Sequence, residues 1–93
     1  MIHLVRISKK AEKQLQRMPV HILDKLETWV YVVERDGLEI VRRIPGYHDE
    51  PLKGNRLGQR SIRLSRGYRA IYEIESDGTV EFVSVEEVSK HDY

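Results

Sequence analysis

The chain has 93 residues, 33% of them charged and 40% hydrophobic, with 16 Lys+Arg against 15 Asp+Glu. This length predicts one domain, residues 1–93, around a small core, and the hydrophobic share excludes a disordered chain. The lack of cysteine excludes a disulfide framework, thiolate metal sites and cysteine nucleophiles; with no apolar run near the ~18–20 residues of a membrane span, and a start (Met1 to Arg6) unlike a signal peptide, a soluble cytoplasmic protein without a membrane partner is expected.

The segment from His3 to Ile7 alternates and predicts a first strand. Ser8 is a natural N-cap for a helix to Met18, in which Ala11, Leu15 and Met18 share one face. Pro19 breaks that pattern and suits the first turn of a second helix. There Ile22, Leu26, Trp29 and Val33 form one apolar stripe, which reads as core. Tyr31 lies off the stripe and is expected to be exposed. Gly37 is the natural stop, in a left-handed position after the helix. Residues 38–58 read as loop or partial helix, punctuated by Pro45, Gly46, Pro51, Gly54 and Gly58. A polar loop of this length in a small domain points to function.

Strands are predicted at Arg60–Leu64, Tyr68–Ile74 and Thr79–Glu87. A three-residue turn, Ser65-Arg66-Gly67, with Gly67 left-handed, would pair Leu64 with Tyr68, Arg63 with Arg69 and Ile62 with Ala70. Ile62, Leu64, Tyr68, Ala70, Tyr72 and Ile74 would then face the helices. Ser61, Arg63, Arg69, Ile71 and Glu73 would line a sheet face that no evident element covers. The third of these strands shows apolar residues at both parities, Val80 and Phe82 against Val83 and Val85, as in a strand buried on both faces or one with a bulge. The order is thus β-α-α-β-β-β and the fold class α+β. An N-terminal strand and a two-helix hairpin would pack on one face of a small, mostly antiparallel four-stranded sheet.

A near-neutral total conceals charge polarity. Residues 51–72 carry Lys53, Arg56, Arg60, Arg63, Arg66 and Arg69 with no acid, whereas residues 73–93 carry seven acids and one lysine. Such a block is compatible with a solvated strand face that balances an acidic tail. Two arginines directly opposite each other repel, however, and serve no structural purpose. A phosphate between two guanidinium groups does explain them.

The segments Glu50-Pro51-Leu52-Lys53-Gly54-Asn55-Arg56, Ser61-Ile62-Arg63-Leu64 and Tyr68-Arg69-Ala70-Ile71-Tyr72, then a valine-rich strand and a His/Tyr terminus, resemble the RelE/ParE superfamily of bacterial toxins. These are the toxin halves of type II toxin–antitoxin pairs. The run from Pro51 to Leu64 is especially similar to the HigB and plasmid-killer branch, while Glu50 ahead of Pro-Leu-Lys is similar to the YoeB branch. The resemblance implies a RelE-like fold and ribosome-dependent cleavage of mRNA by attack of a ribose 2′-OH on the adjacent phosphate. By position, Glu50 matches the base and Arg69 the arginine on the scissile phosphate. Arg63 and Lys53 match supporting cations, and Arg56, Arg60 and Arg66 of the basic block are expected to join them in binding RNA phosphates. HigB-like chains carry histidine where Glu50 stands.

The tail His91-Asp92-Tyr93 fits two alignments. His91 and Tyr93 can share the site face, or Asp92 can occupy it, because a one-residue shift flips a strand. His91 suits the acid, since its ordinary pKa lies nearest neutrality, and Tyr93 can stack a base or donate a proton. His48, near Glu50, reads as polar loop, and four scattered histidines give no metal site; no cofactor is expected. The implied partners are a cognate antitoxin, the 70S ribosome and mRNA. A ParE-like DNA gyrase inhibitor, or an inactive RNA- or protein-binding relative, is the alternative.

Overall fold

A computed structural model describes residues 1–90. Its elements are β1 (Val5–Ile7), α1 (Lys9–Leu15), α2 (Val20–Asp36), α3 (Leu38–Val41), β2 (Glu50–Pro51), β3 (Gln59–Ser65), β4 (Tyr68–Ser76) and β5 (Glu81–Lys90), with single 3-10 turns at Pro45–Tyr47 and Gly54–Arg56. The class is α+β as expected, but the sheet has five strands in the order β1-β5-β4-β3-β2. The additional strand is β2, two residues long and ending in proline, too short to show any periodicity. β1 runs parallel to β5, and the other pairs are antiparallel.

The helices form for the reasons legible in the sequence. Ser8 Oγ accepts from Ala11 N at 3.0 Å and caps α1. α1 ends at Leu15 rather than Met18, because Arg17 N and Met18 N bond three residues back and tighten the last turn. Pro19 takes the cap position of α2, just outside the first turn. Ile22, Leu26, Trp29 and Val33 are all buried, and the Trp29 ring lies 5.3 Å from that of Tyr72. Tyr31 is exposed. Gly37 ends α2 and also caps α3, with φ +94°, and a Cβ there would sit 3.3 Å from Met1 Cβ. The positive φ is what calls for glycine, and a Cβ would in addition press on the Met1 side chain. Leu38 N donates to Ile2 O and Ile2 N to Glu39 Oε1, so the start of the chain is tied to α3 rather than to the sheet. That is why β1 begins at Val5 and not at His3.

α1 lies along the part of β5 that β1 is too short to cover. Ser8 N donates to Val85 O, Ser8 Oγ to Glu86 O, and Val88 N to Gln14 Oε1 at 2.7 Å. Helix side chains thereby satisfy an edge that would otherwise template another strand. β5 carries a bulge: Tyr72 pairs with Val85 and Ile71 with Glu87, leaving Glu86 extra. The bulge returns Val88 to the face of Val83 and Val85, and all three are core.

The β3–β4 register keeps the expected pairs Arg63↔Arg69 and Ile62↔Ala70, but the turn differs. Ser65 pairs with Tyr68, the irregularity falls between Arg63 and Ser65, and Gly67 is not left-handed. The extra residue is therefore Leu64, which stays buried by bulging. Ile62, Ala70, Tyr72, Val85 and Val88 belong to the helix-side core.

Candidate functional site

Strand pairing fixes which side chains share the face away from the helices. One row is Arg63, Arg69 and Ser89, and the next is Glu50, Ser61, Ile71 and Glu87. A third is Gln59, Glu73, Ser84 and Arg6. β2 thus brings Glu50 alongside the arginine pair, one row away. Pro51 stands opposite Arg60 on the other face.

His48, Glu50, Ser61, Arg63, Ser65, Tyr68 and Arg69 line an open groove of about 190 Å³. Glu50 and Arg63 are exposed, and Arg69 is half-buried. Among the described residues neither arginine is ion-paired, and Glu50 makes no pair with Lys53. Arg69 Nε is buried without a hydrogen-bond partner among the described residues. Trp29 Nε1 shares that condition but lies in the apolar core, whereas Arg69 lines the groove. A buried guanidinium N–H with no acceptor is costly unless an anion supplies one.

The remaining cations of the basic block are not gathered with this pair. Arg60 points to the helix side, where its Nε donates to Asp49 Oδ1 at 2.6 Å. The Asp49 side chain is 1% exposed and also accepts from Tyr72 Oη at 2.5 Å. Burial, which would favour the neutral form of Arg60, is outweighed by Asp49, and its pKa lies above the ordinary arginine value. Three residues from Arg63 on one strand, Arg60 faces the other way, so the structure does not bring it together with the arginine pair. Arg56 donates to Gln59 Oε1 and to Glu87 Oε1, the latter at 3.1 Å. Lys10 reaches the same carboxylate oxygen. Burial alone would raise the Glu87 pKa, but the two cations bring it below the ordinary glutamate value. Since β4 lies between β3 and β5, Arg56 crosses the sheet to reach Glu87, and Ile71 in that row is fully buried. The face expected to be bare is therefore partly covered. Lys53 is exposed and outside the groove, and Arg66 lies in the β3–β4 turn.

His48 is the residue that sequence reasoning set aside. It stands left-handed (φ 50°) at the end of the Pro45–Tyr47 turn, which brings its ring to the groove two residues before Glu50. Its position beside Glu50 was visible; the backbone reversal was not. His91, Asp92 and Tyr93, the expected acid and tail residues, lie outside the described residues. The last described residue, Lys90, pairs with Tyr68, next to Arg69.

Residues 5–90 match the family described as the ParE toxin of the type II toxin–antitoxin system parDE. The chain belongs to this family. No curated protein matches the sequence of this ParE-family chain. Among solved structures, its fold is similar to the YoeB/ParE toxin from Agrobacterium tumefaciens, with 19% identity, TM-score 0.68 and coverage of 96% of this chain and 99% of that one. It is similar to the toxin–antitoxin complex RelBE2 from Mycobacterium tuberculosis, with 23% identity, TM-score 0.69 and coverage of 98% and 100%. The YoeB–YefM complex from Staphylococcus aureus gives 20% identity, TM-score 0.66 and coverage of 96% and 95%. The ParE-family toxin is thus a RelE/ParE-superfamily toxin with a RelE/YoeB-like fold.

Proposed function

We propose that this toxin is a ribosome-dependent endoribonuclease that cleaves translated mRNA. The observation that carries this reading is the groove in which the exposed carboxylate of Glu50 sits with two arginines that, among the described residues, are in no ion pair, one of them holding a buried N–H without an acceptor. Glu50 accepts the proton of a ribose 2′-OH, whose oxygen attacks the adjacent phosphorus. Arg69 and Arg63 hold the non-bridging oxygens and stabilise the charge that builds on them. The P–O5′ bond breaks, O5′ takes a proton from an acid, and the products are a 2′,3′-cyclic phosphate and a 5′-OH. By resemblance the acid is His91, with Tyr93 stacking a base or Asp92 taking the tail position instead. His48 is a second proton carrier within the groove. Glu50, standing where HigB-like chains have histidine, sides with the YoeB-type arrangement. Lys53 and Arg66 supply supporting charge, while Arg56 and Arg60 are already committed to carboxylates.

The proposed partners are the 70S ribosome, mRNA and a cognate antitoxin. Two of the structures of similar fold are toxin–antitoxin complexes, which supports the last. The family match itself favours a second reading, a gyrase inhibitor on the same fold, which needs no acid–base set. Brief induction followed by primer extension on cellular mRNA separates the two. Breaks within translated codons are the expected outcome. Intact mRNA with double-strand DNA breaks would favour the second reading.

A further inference from the structure

The groove does not end at Arg63. On the outer side of β3, beyond the short β2, Lys25, Gly46, Arg63, Leu64, Ser65 and Arg66 line an adjoining pocket that shares Arg63 and Ser65 with it. α2 supplies Lys25, whose Nζ lies 4.9 Å from the centre of the Tyr47 ring, and the β3–β4 turn supplies Arg66. Among the described residues none of Lys25, Arg63 and Arg66 is in an ion pair. Of the other carboxylates of the open face, Glu50 lines the first groove but not this pocket, Glu73, Glu75 and Glu86 cluster together, and Glu87 is held by Lys10 and Arg56. Cations from three separate elements therefore converge on one pocket whose lining, among the described residues, holds no acid. Lys25 stands on a helix that the basic block of the sequence does not include.

We propose that Lys25 and Arg66, with Arg63 shared, form a second phosphate subsite, so that single-stranded RNA crosses the outer edge of β3 with one phosphate at Arg69 and the next beside Lys25. This rests on the reading of the groove as an RNA site. Arg63, common to both pockets, neutralises the two phosphates from between. Leu64 and the Cβ-less Gly46 leave an apolar wall on which the intervening sugar or base can rest. RNA fits better than an acidic protein segment because its charges recur at a fixed short spacing along a strand. Two contiguous pockets that share one arginine offer such a strand a place for two successive charges.

The test is binding of a fluorescein-labelled, fully 2′-O-methylated RNA nonamer, which cannot be cleaved, to the whole protein over a salt series. Lys25→Gln/Arg66→Gln is expected to weaken binding about tenfold and to make the slope of log K against log salt shallower by about 0.7, the value for one phosphate on a single strand. Amide shifts at Lys25, Gly46 and Arg66 on addition of RNA are expected in the wild type. Wild-type affinity and slope in the double variant, with binding lost in Arg69→Gln, would overturn the subsite and leave the nuclease reading intact. Unchanged binding in both variants would overturn the two together. Competition by polyglutamate as effective as by RNA of equal charge would also overturn the proposal, in favour of an acidic protein segment. A folded double variant is verified by its melting curve, and Lys25→Arg is expected to retain binding.

Discussion

Asp49 and Glu50 are adjacent acids with opposite fates, and each faces an arginine of β3 or its neighbour. Asp49 turns to the helix side, loses its solvent, and is satisfied by Arg60 and Tyr72. Glu50 turns to the other face, stays exposed, and shares a groove with Arg63 and Arg69. The first region spends its charge on itself, and the second leaves its charge available. An arginine therefore reports function by what it lacks as much as by where it is.

The sharpest break of this comparison is at Arg69. Arg69→Gln is expected to lower mRNA cleavage on ribosomes by ~10²–10³-fold, the typical loss for one transition-state donor, while melting no lower than the wild type. A large fall in stability would place Arg69 among the structural arginines. Next is Asp49→Ala, which strands a partly buried guanidinium and should cost about 3 kcal/mol of stability in denaturant unfolding. A near-neutral result would show that the helix-side network is not needed for folding.

Tyr72→Phe removes one arm of that network and is expected to cost about 1.5 kcal/mol. Burial, and then the bond to Asp49, hold the Tyr72 pKa above the ordinary tyrosine value. Folding therefore favours its protonated form. The resulting stability is complete below pH ~10 and is lost as pH rises further, so the variant should show a flatter alkaline limb than the wild type. The smallest effect has the opposite sign. Arg63→Gln relieves the cross-strand repulsion with Arg69 and should stabilise by about 0.5 kcal/mol at low salt. The gain should vanish in 1 M salt, where the screening length is about 3 Å.

The parts of this arrangement that were legible in the sequence are those set by period and polarity. The stripe from Ile22 to Val33 announced α2, and the alternation of Ile62, Ala70 and Tyr72 with arginines placed Arg63 opposite Arg69. The pairing emerged although the turn was misread: excluding Leu64 from solvent fixes the register whether the extra residue is Gly67 or Leu64 itself. The pairing of Arg60 with Asp49 was not legible, because the two lie eleven residues apart and charge counting along the chain cannot see it. β2 was missed because two residues have no period. His48 was discounted because its place depends on one left-handed backbone angle. The family resemblance supplied Glu50, which no periodicity would have singled out.

The parallel pairing of β1 with β5 joins the first strand to the last across nearly the whole chain. α1 in turn leans on Val88 through Gln14, 74 positions away. On a translating ribosome the opening strand and helix thus wait without partners until residues 81–90 have left the exit tunnel. Until then β4, which carries Arg69, lacks one of its two neighbours. The strand that carries Arg69 thus gains its second neighbour only when β5 arrives. Pairs this distant in sequence also slow the closing of the sheet.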